Sequence, residues 1–149
     1  MLWVSRCGLS DLDGIGVLGQ LEELYASFND ISDMGALVGH DRLQILDLEG
    51  NGVSSLVDCR QLATCVTLSD LTLEACPIAG IPLYRRSIYK VLPRIECLDG
   101  VNFSDDDKEP LDPAVWKSVQ AAASRLEIES GSGAQSAEAE CSQRLDQHK

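Results

Sequence analysis

Leu21-Glu22-Glu23-Leu24-Tyr25-Ala26-Ser27-Phe28-Asn29-Asp30-Ile31 is the stretch on which the fold turns, because its apolar spacing recurs along the chain. Leu2, Leu24 and Leu46 stand 22 residues apart. So do Val4, Ala26 and Leu48; Cys7, Asn29 and Asn51; Leu9, Ile31 and Val53; and Leu12, Met34 and Leu56. The third unit is three residues longer, after which the pattern resumes at Leu68, Leu71, Leu73, Cys76 and Ile78. Five columns in register define a repeat of the form L-x-x-L-x-L-x-x-N/C-x-L, and a fixed period of this length marks a solenoid whose units stack to share one core.

That template is the leucine-rich repeat. Two of its leucines, such as Leu46 and Leu48, alternate on a short strand and point inward, while the residues between them point outward. Asn29 and Asn51 sit where the chain leaves the strand, so their amides can bond backbone groups that the bend leaves unpaired. Cys7 and Cys76 fall in the same column, where a small, easily buried side chain replaces the amide. The second half of each unit carries apolar residues three apart, as at Leu12, Ile15, Leu18 and Leu21, which suits short 3₁₀ or α turns. The expected fold is an α/β leucine-rich-repeat solenoid, with short parallel strands on the concave face, 3₁₀ or short helical turns on the convex face and a C-terminal helical cap.

The predicted organisation places the repeat domain at residues 1–103, with about four repeats and a cap at 82–100. In the cap, Tyr84, Ile88, Val91 and Leu92 follow helical spacing, Pro93 stops the helix, and Ile95 and Leu98 precede Asp99-Gly100. A different sequence is needed here because a solenoid exposes an apolar cross-section at its end. Residues 104–112, opening with Ser104-Asp105-Asp106-Asp107, read as an acidic linker. Asp112-Pro113 then start an amphipathic helix over 113–128, with Trp116, Val119, Ala123 and Leu126 on one face that either folds back on the cap or takes a partner. The Ser/Gly/Ala/Glu/Gln composition of 129–149 reads as a disordered tail, with Cys141 an incidental free thiol. At the other end Met1 falls within the first strand. The expectation is a shortened version of a longer protein or an N-terminal edge that docks something, since an open edge is an aggregation hazard.

Composition narrows the partners. Twelve Lys and Arg against 24 Asp and Glu give a net charge of −12, which disfavours direct contact with nucleic acid or an anionic membrane surface. The longest apolar run is far shorter than a membrane span, and the start lacks a secretory signal, so the chain reads as intracellular and soluble. Six cysteines with no C-x₂-C pair read as reduced thiols rather than disulfides or a zinc site. Residues 1–84 hold 12 acidic and 3 basic side chains, whereas Arg85, Arg86, Lys90 and Arg94 make the cap locally basic, as either a solvated helix face or a charged surface.

Reaction chemistry is not evident. His40 falls in a back-face loop and His148 in the tail, no nucleophile, base and orienting group assemble, and no phosphate-binding glycine loop is present. Glu22-Glu23 reads as a solvated pair. Neither an enzyme nor a cofactor or metal is expected. What remains is the outward face of the sheet: Trp3, Ser5 and Arg6; Glu23, Tyr25, Ser27 and Phe28; Ile45, Asp47 and Glu49; and Asp70, Thr72 and Glu74. Trp3 and Tyr25 share a column, and aromatics beside an acidic row make a protein-binding patch. It suits a partner helix or loop with apolar anchors and Lys or Arg flanks. The alternative is that Trp3 is covered by preceding sequence.

The strings Leu2-Trp3-Val4-Ser5-Arg6-Cys7-Gly8-Leu9 and Leu24-Tyr25-Ala26-Ser27-Phe28-Asn29 are more specific than the general repeat. With Leu46-Asp47-Leu48-Glu49-Gly50-Asn51 they resemble the leucine-rich repeat-containing protein 56 family over roughly residues 2–100. The cap from Leu83 to Asp99 is similar to those of dynein light chain 1, the spliceosomal U2 A-prime protein and the acidic nuclear phosphoproteins. Membership of the family would imply a non-enzymatic adaptor that matures or transports outer dynein arms, with outer-arm dynein or intraflagellar transport components as protein partners, in the cytoplasm and the cilium or flagellum. Other short-repeat proteins suggest two alternatives, a regulatory subunit of the protein phosphatase 1 type and a ribonucleoprotein scaffold similar to the U2 A-prime protein. Oligomeric state is left open.

Overall fold

The computed structural model describes residues 1–146, and side chains as far as Ser130. Its centre is one six-stranded sheet in sequence order: β1 (Leu2–Trp3), β2 (Glu23–Tyr25), β3 (Ile45–Asp47), β4 (Asp70–Thr72), β5 (Cys97–Leu98) and β6 (Val101–Asn102). The first five pair in parallel, and the repeat sets their register, with Leu2 opposite Leu24, Leu24 opposite Leu46, Leu46 opposite Leu71 and Leu71 opposite Leu98. A stack of identical side chains in successive units builds one core. Leu24, Leu46, Leu71 and Leu98 are buried in it, as are Ala26, Leu48 and Leu73 from the alternate position.

Pairing continues past the strands, through Ala26 N–H to Asp47 O at 2.9 Å and Leu48 N–H to Thr72 O at 3.0 Å. The chain then bends at a left-handed residue: Arg6, Phe28, Gly50 and Ala75 have φ between 54° and 66°. Asn29 and Asn51 bind the bends together. The N–H groups of Cys7 and Leu9 each donate to Asn29 Oδ1 at 3.0 Å, while Asn29 Nδ2 donates to Val4 O and Ala26 O. Asn51 accepts from Ile31 N–H and donates to Ala26 O and Leu48 O.

The convex side returns through 3₁₀ turns at Ile15–Val17, Gly35–Leu37, Leu62–Thr64 and Pro77–Gly80, and through α1 (Leu56–Gln61), capped by Ser55. His40 is buried there, its two ring nitrogens 3.2 Å from Leu37 O and Ile15 O, so it ties successive turns together. The two cysteines in the asparagine column differ. Cys76 is buried and donates its thiol to Leu48 O at 3.0 Å, but Cys7 is exposed, because β1 is the edge strand and no other unit among the described residues packs on its outer side.

The cap comprises α2 (Tyr84–Val91) and the β5–β6 hairpin. The hairpin turns at Asp99 and Gly100, both with positive φ, as a two-residue loop joining right-twisted strands requires. Arg85 fastens it by donating to Leu98 O, Val101 O and Asn102 O and pairing with Asp107 at 3.2 Å. The expected acidic linker at 104–112 contains a helical turn, α3 (Asp105–Lys108). It forms because Ser104 accepts from Asp107 N–H while Asp107 accepts from Ser104 N–H, a reciprocal capping box.

Helix α4 (Pro113–Asp146) folds back onto the solenoid. Val119 and Ala123 are buried, Trp116 and Leu126 pack on the core, and the Lys90 ammonium lies 5.2 Å from the Trp116 ring centre. The helix starts at Pro113 as the sequence reading has it but runs past 128, where that reading begins a disordered tail. Ala, Glu and Gln, which each occur three times beyond that point, are strong helix formers. Residues 147–149 and the Cys141 side chain lie outside the described residues. Among those described, no helix is long and apolar enough to cross a membrane.

Candidate functional site

Each strand of the sheet presents its outer residues to one concave surface, because the residue between them enters the core. Glu23 and Tyr25 flank buried Leu24, Ile45 and Asp47 flank Leu46, and Asp70 and Thr72 flank Leu71. Parallel register therefore makes rows across the sheet: Glu23 beside Ile45 and Asp70, and Trp3 beside Tyr25, Asp47 and Thr72. Glu49 and Glu74 continue the surface past the strand ends.

At the β1 end the rows are aromatic. Trp3 and Tyr25 stack with ring centres 3.9 Å apart and planes 13° from parallel, and Trp3 remains 64% exposed. Beside them the Arg6 guanidinium covers the Phe28 ring at 4.3 Å. Both residues of this second pair occupy the left-handed column, where a non-glycine residue costs about 1–2 kcal/mol. The next residue in the column is Gly50, and a Cβ there would come within 2.5 Å of the Phe28 ring. Gly50 thus leaves room for Phe28, and Phe28 forms a platform for Arg6.

Toward β4 the surface turns acidic. Tyr25 donates its hydroxyl to Glu23 at 3.0 Å, a bond that, with Glu23, Asp47 and Asp70 nearby, raises the Tyr25 pKa. Asp47 accepts from Glu49 N–H, and Ser69 donates to Asp70. Among the described residues these carboxylates have no cationic partner, since the ion pair formed is Arg85–Asp107. Trp3, Arg6, Glu23, Tyr25, Phe28, Ile45, Asp47, Glu49, Asp70, Thr72 and Glu74 are all at least partly exposed.

Two positions differ from the sequence reading. Ser27 is almost covered, because its hydroxyl donates to Ser5 Oγ at 2.9 Å. Cys97 joins the face next to Asp70 as its register partner in β5, where burial and the Asp70 carboxylate raise its pKa. Its signal was the position before Leu98, equivalent to Glu23, Ile45 and Asp70, obscured by the irregular length of the cap. Among the described residues no His, Cys, Asp and Glu cluster could hold a metal ion. What the surface offers is an exposed aromatic platform beside unpaired carboxylates, chemistry suited to recognising a protein.

No family model matches the chain. It is 44% identical over 113 residues to leucine-rich repeat-containing protein 56 of Homo sapiens, an alignment covering 68% of this chain and 21% of that protein. It is 42% identical over 82 residues to the homolog of that protein in Trypanosoma brucei, covering 53% of this chain and 11% of the homolog. The chain thus spans about a fifth, or less, of these relatives' length. Acidic leucine-rich nuclear phosphoprotein 32 family member A of Drosophila melanogaster is 33% identical over 101 residues, covering 67% of this chain and 39% of that protein. Among solved structures, the Mex67 leucine-rich-repeat domain from Chaetomium thermophilum has a TM-score of 0.58 at 23% identity, covering 71% of this chain and 85% of that one. The Drosophila melanogaster SNF/U2A' complex gives 0.52 at 19%, covering 72% and 82%. These two structures share the fold. The repeat region of this chain belongs to the leucine-rich repeat-containing protein 56 family.

Proposed function

We propose that this protein is a non-enzymatic adaptor that binds a protein partner on its concave face, and that it serves in the assembly or intraflagellar transport of outer dynein arms, in the cytoplasm and the motile cilium. The observation that carries the binding reading is the exposed Trp3–Tyr25 stack and Arg6–Phe28 pair beside an acidic row. Stacked aromatics offer large, rigid area at little entropic cost, which is why Trp, Tyr and Arg dominate binding hot spots. The carboxylates of Glu23, Asp47, Glu49, Asp70 and Glu74 select a partner with Lys or Arg around an apolar anchor. The dynein and transport assignment rests on the family to which the repeat region belongs.

The test is affinity recovery of the tagged chain from motile-ciliated cells, followed by mass spectrometry. Outer-arm dynein or transport components should come with it, and Tyr25→Ala or Glu49→Lys should abolish their recovery without changing the circular dichroism spectrum. Truncating a central aromatic costs about 2 kcal/mol or more, roughly thirtyfold in affinity. Recovery of a phosphatase catalytic subunit or splicing proteins would keep the adaptor and replace the ciliary role. Unchanged recovery with both variants would remove the concave face.

A further inference from the structure

A second surface lies away from the concave face, where the turn entering β4 meets the turn entering β5. An apolar notch of about 210 Å³ opens there between Leu62, Cys65 and Leu68 on one side and Leu92, Pro93 and Ile95 on the other. Small-molecule sites enclose roughly 300–1,000 Å³, so this notch is sized for a single side chain. Arg94 stands at its rim and also lines an adjoining groove with Tyr89 and Lys108. Pro93 continues into a third depression shared by Lys90 and Lys108.

Charge identifies the occupant. In a chain of net charge −12, Lys90, Arg94 and Lys108 are exposed on this one surface, and among the described residues none forms an ion pair. The carboxylates lining the two depressions are Glu96 and Glu109, so cations prevail locally. A long polyanion would meet the repulsion of the whole acidic molecule, whereas a short acidic peptide exposes few charges to it and can fill the notch with an apolar residue. We infer that the notch and its basic rim are a docking site for an acidic segment of a partner protein, an apolar side chain entering between Leu68 and Leu92 and flanking Asp or Glu side chains meeting Arg94 and Lys108.

The probe is a short fluorescein-labelled peptide of Asp and Glu around one central Leu, titrated with the full chain and followed by anisotropy. Saturable binding is expected, weakened about tenfold or more when the central Leu is Ala, because the truncation removes most of the apolar surface that the side chain buries. Arg94→Glu and Lys108→Glu should each weaken it about tenfold by turning attraction into repulsion. Ala63→Trp, which fills the notch from its exposed rim, should do the same. These three positions are exposed, so the fold should hold. Tyr25→Ala and Glu49→Lys should leave the affinity unchanged, which separates this site from the concave one. Absence of saturable binding, indifference to the Arg94→Glu/Lys108→Glu double variant, or equal binding of a single-stranded RNA or a phosphatidylserine vesicle would overturn the inference.

Discussion

At the scale of single residues, Asn51 shows how a repeat converts a sequence column into stability. Its amide serves buried backbone groups from two adjacent units, so removing it orphans Ile31 N–H and takes one donor from each of the carbonyls of Ala26 and Leu48, which keep Asn29 and Cys76 as donors. Asn51→Ala should lower stability by about 1–3 kcal/mol, read from the midpoint of urea denaturation, while leaving partner recovery by the folded fraction intact. Cys59 gives a pH signature. Burial pushes its thiol from 9.0 up to about 12, and burial with the nearby Asp99 raises the Tyr84 hydroxyl as well. An acid whose pKa is raised on folding holds its proton more tightly in the native state, so this contribution is complete below pH 9 and is lost as pH rises toward 12. The urea midpoint should fall across that interval, and less steeply in Cys59→Ala. The asparagines were legible from spacing alone. The exposure of Cys7 was not, because a column specifies position within a unit and says nothing of whether another unit stacks outside it.

At the scale of elements, the bend after each strand matters most. Gly50 has φ 66° and faces the Phe28 ring. Gly50→Ala adds a left-handed penalty of about 1–2 kcal/mol and pushes Phe28 away from Arg6. Stability should fall by about that amount and partner affinity should fall with it, whereas Asn51→Ala should cost stability alone. Calorimetry of binding to a purified partner would separate the two effects. The strands β1–β4, their register and α2 follow from the period and the helical spacing of the cap, whereas β5 lies 27 residues beyond β4 and outside that period. The capping box that turns 104–108 into a helix was hidden in an acidic run, since three consecutive aspartates look like a solvated link until Asp107 reaches back to the Ser104 N–H and pairs with Arg85.

At the scale of the molecule, a solenoid is stabilised by neighbouring units, so its two ends govern its integrity. The C-terminal end is held by Arg85 on the hairpin carbonyls and by α4 across the cap. Trp116→Ala should cost about 2 kcal/mol through lost packing and the lost contact with Lys90, and should speed proteolytic cleavage between residues 104 and 112 as α4 detaches. The 22-residue period already carried the architecture, the core leucines and the asparagine column. Each follows from which way a side chain points on a strand of known register, and alternation decides that locally. Other features exist only between segments distant in sequence: the ring of Phe28 over Gly50, the docking of Trp116, and the notch where Leu68 faces Leu92. Their physical origin is stacking and closure in space, to which the periodicity of one strand is blind.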